Sequence, residues 1–433
     1  MAALLISIVW PAFAFGMLLT IPVLKVVLRR AAGGLLAGYT YDMAVVLLAI
    51  IAAALHRARQ AERHPLPIPP RVIIAWLVLV VLIWLRLPAS ANQAYGFKKA
   101  LIFSIFDTCA ILSVVLMMVT PRDGRQILRL IVIGGILSSM ALPLFGSTIG
   151  SYEGARFSIQ GASPLGVADL AANAILILLS TWIADRSPKR TLLVVIVVPL
   201  SALAIFMSGT RGPIFAIPLV LPLIFWFYRR SLNFQGVMAA LIGFGLIAVL
   251  TAYLVNPSYL TRFSGDAVHS GLSARMHMVN VTVRGIVRNP ILGNGTGDTS
   301  VQLHGVADAE GSYPHNHLLE VFNELGIFGM IAWVTIMATG LAAGWELRKP
   351  EWDNTEAKFI GVALYACFVY QAIQSFKAGT YAAAYMQYFF CFATIAAHEL
   401  RKRDLQIWTM NQQLFMRAQT PLTTAHSATT PAP

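Results

Sequence analysis

The sequence predicts an all-α polytopic membrane protein of about twelve transmembrane helices, with one long outer loop between the ninth and tenth. Hydrophobic residues make up 57% of the 433 and charged residues only 12%, which leaves too little polar surface to coat a globule of this size. Apolar runs long enough to cross a bilayer recur along the chain. Strict two-residue alternation is missing from them, so helices rather than barrel strands satisfy the backbone in lipid.

The spans are expected at Leu4 to Leu28, Tyr39 to Leu55, Val72 to Leu87, Leu101 to Thr120, Ile127 to Ile149, Ser163 to Ala184, Thr191 to Met207, Pro213 to Tyr228, Gly236 to Val255, His317 to Trp345, Phe359 to Gln374 and Ala382 to His398. This divides the chain into helices one to nine in residues 1–255, a loop in 256–314, helices ten to twelve in 315–399 and a tail in 400–433. The first span has a weak basic start and no small-residue cleavage site, so it reads as a retained span rather than a removed signal peptide. The tail ends in QTPLTTAHSATTPAP, a low-complexity stretch expected to be disordered.

Orientation follows from Lys and Arg, which concentrate in cytoplasmic loops. Arg57, Arg59 and Arg63, then Arg122 and Arg125, Arg186, Lys189 and Arg190, Arg229 and Arg230, Arg348 and Lys349, and Arg401 to Arg403 all fall on even-numbered connections or the tail. Those segments and both termini are therefore expected inside. The net charge of +13 is read mainly as this topogenic bias and not as nucleic-acid binding. Arg29, Arg30, Lys98 and Lys99 are exceptions, expected in outer connections. Cys109, Cys367 and Cys391 all lie in spans, where small apolar packing is their expected role.

The segment Asn256 to Pro314 is far longer than an ordinary inter-helix turn, and loops of that length are usually functional. Within it, Met276, Val279, Val283, Ile286 and Val287 recur at helical spacing with Arg275, Arg284 and Arg288 between them. That pattern predicts an amphipathic helix over Ala274 to Arg288, resting on membrane headgroups. Asn289-Pro290 ends it, and Gly293-Asn294-Gly295-Thr296-Gly297 predicts a turn, with an anion-binding nest as one reading of its glycines.

Two places invite chemistry. Tyr313 to Gly329 sets His315, Asn316 and His317 at the start of an apolar helix, where ionisable groups cost desolvation energy and a site is the default explanation. His315 has three readings: general base, metal ligand or helix-end hydrogen bonder. His317, His304, Asp298, Asp308 and Glu310 are the other possible ligands, but their spacing matches no known metal pattern, so no metal is expected. Asn316 would orient His315 or cap the helix. Glu320 and Glu324 would fix a histidine tautomer or favour the helix start.

The second place is Ser208-Gly209-Thr210-Arg211-Gly212-Pro213, a tight outer turn where Arg211 runs against the inside-positive bias. Guanidinium forks match phosphate oxygens, so several arginines converging with Arg211 on one outer cavity would suit a diphosphate, and Arg275, Arg284 and Arg288 also face outside; a topological stop or a headgroup contact is the plainer explanation. Arg156, beside Glu153, is a further outer cation or a simple ion pair. There is no Walker motif, nucleophile elbow, zincin motif or dinucleotide fingerprint.

His315-Asn316, nine residues, Gly326, two residues and Gly329 resemble the signature of bacterial O-antigen ligases. Ser208 to Gly212 resembles the arginine turn of the wider ligase and polymerase superfamily. Arg275 through Asn289-Pro290-Ile291-Leu292-Gly293-Asn294-Gly295 resembles its loop pattern, with Arg284 and Arg288 open as equivalents of Arg275. The resemblance covers Ser208 to Gly329. It implies a GT-C-like fold and a membrane-embedded glycosyltransferase that needs no metal or other cofactor, at the periplasmic face of the bacterial inner membrane.

Its implied partners are an undecaprenyl-diphosphate-linked glycan donor, a lipid A core or lipid-linked repeat as acceptor, and membrane lipids. Carried over by position, Arg211 and Arg275 would hold the donor diphosphate, with Arg288 as a helper, and His315 would activate the acceptor hydroxyl. Ligase and polymerase of O-antigen or exopolysaccharide share these motifs. A transporter or flippase is the alternative of another class, for which Asp42, Asp107 and Asp169 are the candidate intramembrane acids.

Overall fold

The computed structural model describes residues 39–60, 66–149, 156–159, 163–229, 265–306, 312–349, 356–377 and 379–419, with a few isolated residues between them. The expected first and ninth spans fall almost wholly outside these, as does the extreme tail. The described helices are α1 (Tyr39–Arg59), α2 (Pro70–Leu85), α3 (Gln93–Leu101), α4 (Thr108–Met117), α5 (Pro121–Phe145), α6 (Pro164–Ala184), α7 (Pro188–Met207), α8 (Arg211–Phe227), α9 (Gly265–Arg288), α10 (Asp298–His304), α11 (His317–Glu346), α12 (Glu356–Ser375) and α13 (Tyr385–Gln419). Among the described residues, 7 helical segments are long and apolar enough to cross a membrane, and α8 is a shorter apolar helix. The protein is thus a multi-pass membrane protein.

Proline starts several of these helices. Pro70, Pro121, Pro164 and Pro188 each occupy the first turn, where a missing N–H costs nothing and the fixed φ suits the helix. At α5 the start is reinforced by a capping box: the Asp123 carboxylate accepts from the Thr120 amide at 2.7 Å. Each helix then divides its surface by partner. On α2, Val72, Ala75, Trp76, Leu79 and Ile83 are buried, while Ile74, Leu77, Val81 and Leu85 are exposed. Such a bare apolar face is expected where lipid is the solvent.

Four features differ from the sequence expectation. Gln93–Met117 forms one continuous helical segment, with a π-helical stretch at Ile102–Asp107 joining α3 to α4. It starts eight residues before Leu101, so Lys98 and Lys99 belong to a helix and not to an outer loop; the reason is Asn92, which caps the helix by accepting from the Tyr95 amide at 2.9 Å. Between α5 and α6 the chain forms a two-stranded antiparallel ribbon, Gly146–Ile149 with Arg156–Ile159, in which Arg156 pairs with Ile149. The last helix runs on to Gln419 without breaking at the expected end of the span.

The fourth difference matters most for the site. Apolar periodicity predicts a continuous helix from His317, but Gly326 sits at φ 69, ψ −164 and breaks α11 near its start. That conformation is open essentially to glycine alone. The reason is close backbone approach: a Cβ on Gly326 would strike the Ile291 carbonyl, and one on Gly293 the Glu324 carbonyl. Across this contact the Ile327 amide donates to Pro290 O at 3.0 Å, the Asn294 amide to Asn323 O at 2.8 Å and the Gly295 amide to Glu324 O at 3.1 Å. The loop therefore accepts from and donates to a backbone that an unbroken helix would have kept for itself.

The bundle has two chemically distinct ends. At one end lie Arg125, bonded to Glu356, Arg190 on the Thr181 carbonyl, Arg403 on the Leu66 carbonyl and His398 on Glu346. The opposite ends of the same helices carry the arginine turn, the histidine segment and the glycine loop. Replacing Gly326 with Ala should cost at least about 1–3 kcal/mol from backbone strain alone. The check is the melting temperature of the detergent-purified protein; a change of less than a degree would mean the break is not held by glycine.

Candidate functional site

His315 lies in the turn that leads into α11. Its φ of 54 makes it the one non-glycine residue with positive φ among the described residues. Histidine tolerates this region better than most residues, yet it still stores strain, and such outliers collect at functional sites. Two neighbours hold it there. Pro314 is buried on one side, and Asn316 on the other caps α11 by accepting from the Leu319 amide at 3.1 Å. The imidazole packs edge-on against Tyr313, with ring centroids 4.8 Å apart at 76°. Asn316 thus follows its capping reading.

His317 points another way. It is buried, and its Nδ1 lies 2.8 Å from Gln387 Oε1 on α13. His304 is held by the Ser300 carbonyl and the Ser312 hydroxyl, and Asp298 by the Ala91 amide and Gln302. Burial raises the Asp298 carboxyl above its ordinary range. These groups are spent on separate partners and do not gather round one point.

Glu320 and Glu324 have a role that the sequence reading missed. Neither carboxylate's described hydrogen bonds involve a histidine. Instead Lys99 reaches them from α3, donating to Glu320 Oε1 at 2.6 Å and to Glu324 at 2.8 and 2.7 Å. All three side chains are almost fully buried, at 3% and 1% exposure across the pairs. Thr380 Oγ1 donates to Glu320 at 2.7 Å, the Tyr381 amide donates to it at 3.1 Å, and the Tyr381 hydroxyl donates to Glu324 at 3.0 Å. Lys99 also lies over the Tyr381 ring, 4.4 Å from its centroid. The signal available in the sequence was a lysine at the edge of an apolar run facing two glutamates one helical turn apart.

The glycine loop is a bracket and not an anion nest, because its amides are already taken. Beyond the contacts to Asn323 and Glu324, the Thr296 amide donates to Arg86 O at 3.4 Å and its hydroxyl to Ile83 O at 2.7 Å, while Arg86 donates to Gly293 O at 2.9 Å. Asn294 ties the bracket to both sides, donating to Gly285 O at 3.0 Å on α9 and to Asn323 Oδ1 at 2.9 Å on α11.

Arg211 is the first residue of α8 and half-buried. The turn before it is closed by Gly209 at φ 63 and by a 2.6 Å contact between the Ser208 and Thr210 hydroxyls. Gly212 admits a neighbour rather than a ligand: a Cβ there would meet Gln374 Oε1 at 2.6 Å and Lys377 Nζ at 3.1 Å. These two lie where α12 gives way to the connection to α13; the end of α12, that connection and the start of α13, residues 374–387, are hereafter the strap. Lys377 donates to the Gly212 carbonyl. Gln374 Nε2 donates to the Tyr370 hydroxyl at 2.7 Å, and that hydroxyl donates to Asp169 of α6 at 2.5 Å. Burial, opposed by Asp169 and reinforced by the positive charge of Arg275, brings Lys377 down to about 8.

The strap is what joins the sequence-predicted residues. It touches the arginine turn through Gln374 and Lys377, and Arg275 acts on Lys377 through its charge. At Gly379 and Gln387 it meets His317, and at Thr380 and Tyr381 it meets Glu320. Arg275 is exposed on α9. Arg288 ends the same helix thirteen residues later, about 20 Å along it, and is not brought to the strap. The backbone of Arg156 belongs to the ribbon.

Residues 195–334 match the family model described as O-antigen ligase. This segment runs from within α7 through α8, α9 and α10 to the middle of α11, and is similar there to the O-antigen ligase and polymerase superfamily, whose members are enzymes of glycosyltransferase type. The strap and Lys99 lie outside the matched residues. No curated protein matches the chain.

Lys99→Met would strand two buried carboxylates and should cost about 3–5 kcal/mol. The triple variant Lys99→Met, Glu320→Gln, Glu324→Gln should recover much of that loss in thermal unfolding. A triple variant no more stable than the single one would show that the ion pairs are not the source.

Proposed function

We propose that this chain, with its O-antigen ligase domain, transfers a glycan from an undecaprenyl-diphosphate-linked donor to a sugar hydroxyl at the periplasmic face of the bacterial inner membrane. Ligation of O-antigen to the lipid A core is the leading reading, with O-antigen or exopolysaccharide polymerisation second. The observation that carries the proposal is the strap, which connects the arginine turn, Arg275 and the histidine helix at one end of the bundle. That end is opposite the basic runs, and basic runs mark the cytoplasmic side.

On this reading His315 Nδ1 or Nε2 accepts the proton of the acceptor hydroxyl. The hydroxyl oxygen attacks the anomeric carbon, and the bond from that carbon to the diphosphate oxygen breaks with its electron pair leaving on undecaprenyl diphosphate. Arg211 and Arg275 stabilise the departing charge. The strained turn at His315 supports the role, since a base must be held where the acceptor enters rather than where its own backbone is most comfortable. Asn316 and His317 support the turn and the strap, respectively, and Glu320 anchors the helix through Lys99.

A transporter has one observation in its favour. Asp107 is fully buried in the π-helical stretch and neither of its oxygens is hydrogen-bonded among the described residues. A protonophore separates the two: a glycosyltransferase supplied with lipid-linked donor in membranes continues, and a proton-driven transporter stops.

His315→Ala should lower transfer by about two to four orders of magnitude while leaving donor binding intact. Arg211→Lys keeps the charge and loses the fork, and should weaken donor binding about ten-fold. Both are read by turnover of lipid-linked donor in membranes; wild-type rates for His315→Ala would remove it as the base. Surface lipopolysaccharide from cells lacking the chain divides the two leading readings. Bare core with long polymer retained on the carrier means a ligase, and core bearing single repeats or loss of exopolysaccharide means a polymerase.

A further inference from the structure

The strap adds a cation that neither the motifs nor the family match includes. Lys377 is fixed from below by its bond to the carbonyl of Gly212, the residue after Arg211, and is packed so closely there that a methyl group on Gly212 would meet it at 3.1 Å. The groups facing it are Asp169 from α6, Tyr370 and Gln374 from α12, and Arg275 from α9. Asp169 is already engaged: Tyr370 donates to its Oδ1 at 2.5 Å and Gln374 at 3.4 Å. Two side-chain cations on different elements, Lys377 and Arg275, therefore act on each other beside the turn that carries Arg211, with one partly satisfied carboxylate near them. Like charges brought together by a fold are stabilised by an anion between them.

We infer that Lys377 is a third cation of the donor site, closing on the anionic diphosphate of the lipid-linked donor from the strap. This rests on the reading of Arg211 and Arg275 as diphosphate ligands. A point-like ammonium complements two forked guanidiniums, because it can follow a phosphate oxygen that the planar forks leave uncovered.

A consequence is linkage between donor binding and a proton. In the free protein Lys377 is half-neutral near pH 8, because burial and Arg275 disfavour its charge. A diphosphate replaces that repulsion with attraction, so the bound state holds the proton to higher pH. Below about 8 the lysine is charged in both states and affinity is flat; above it, binding must take up a proton and affinity falls as pH rises. Phosphate groups titrate near pH 6 and an ordinary imidazole near 6.5, so neither confuses this window.

The test is a binding titration of the purified full chain in detergent with undecaprenyl diphosphate, with undecaprenol as the uncharged control, at pH 7 and pH 9.5. Wild type should weaken about ten-fold between the two, Lys377→Arg should hold its affinity at both because guanidinium stays charged, and Lys377→Gln should be weak at both. A pH-independent wild type, or a Lys377→Arg variant that keeps the wild-type profile, overturns the inference while leaving the donor site standing. If undecaprenyl diphosphate binds no better than undecaprenol, the donor reading and the inference fall together.

Discussion

The buried ammonium of Lys99 between Glu320 and Glu324 is the interaction on which the rest of this end of the bundle depends. Taking three charges out of water costs several kcal/mol each, and Coulomb attraction alone rarely recovers it. Here the remaining lone pairs are satisfied by Thr380, Tyr381 and the backbone of Gly297, so no carboxylate oxygen is left to desolvation alone. The arrangement also has a geometric effect. One side chain from α3 fixes the rotation of α11, two residues of the strap lock onto the same carboxylates, and the glycine loop closes the fourth side.

With α11 pinned at its start, the break at Gly326 becomes intelligible. A straight helix through 326 would carry either the glutamates or the apolar stretch beyond it out of register with their partners. The break lets Glu320 and Glu324 face Lys99 while Ala332, Trp333 and Ile336 pack into the core. Its freed carbonyls and the amide of Ile327 are then met by residues 290–295. The Asn-Pro-x-x-Gly-x-Gly pattern and the Gly-x-x-Gly spacing are thus two halves of one structural device. They place the histidine turn.

Much of this architecture was legible. Apolar runs located the helical segments long enough to cross a membrane among the described residues, and Asn316 was recognisable as a cap because its position before an apolar helix suits that role. The amphipathic helix was also legible, although it begins earlier, at Gly265. What could not be read was pairing at long range. Lys99 looked like an outer-loop cation because its partners lie 221 and 225 residues away. Lys377 carried no signal for the same reason: its meaning comes from Gly212, Asp169 and Arg275, on three different helices. Gly326 read as helix because an apolar run does not reveal which of its glycines is bent.

The charge pattern of the two ends bears on how the proposed chemistry would be driven. Cations at the end opposite the basic runs work against the topogenic bias, and each must be retained for a reason other than insertion. Fixed cations assist glycosyl transfer only if they bind the leaving group more strongly as it departs than while it is still esterified to the sugar. A diphosphate ester gains a full negative charge at the bridging oxygen when the glycosidic bond breaks. Cations already set by the fold need no reorganisation to meet that added charge. On the proposed reading, Arg211, Arg275 and Lys377 therefore bind the departing group more strongly than the ester, which is the direction catalysis requires.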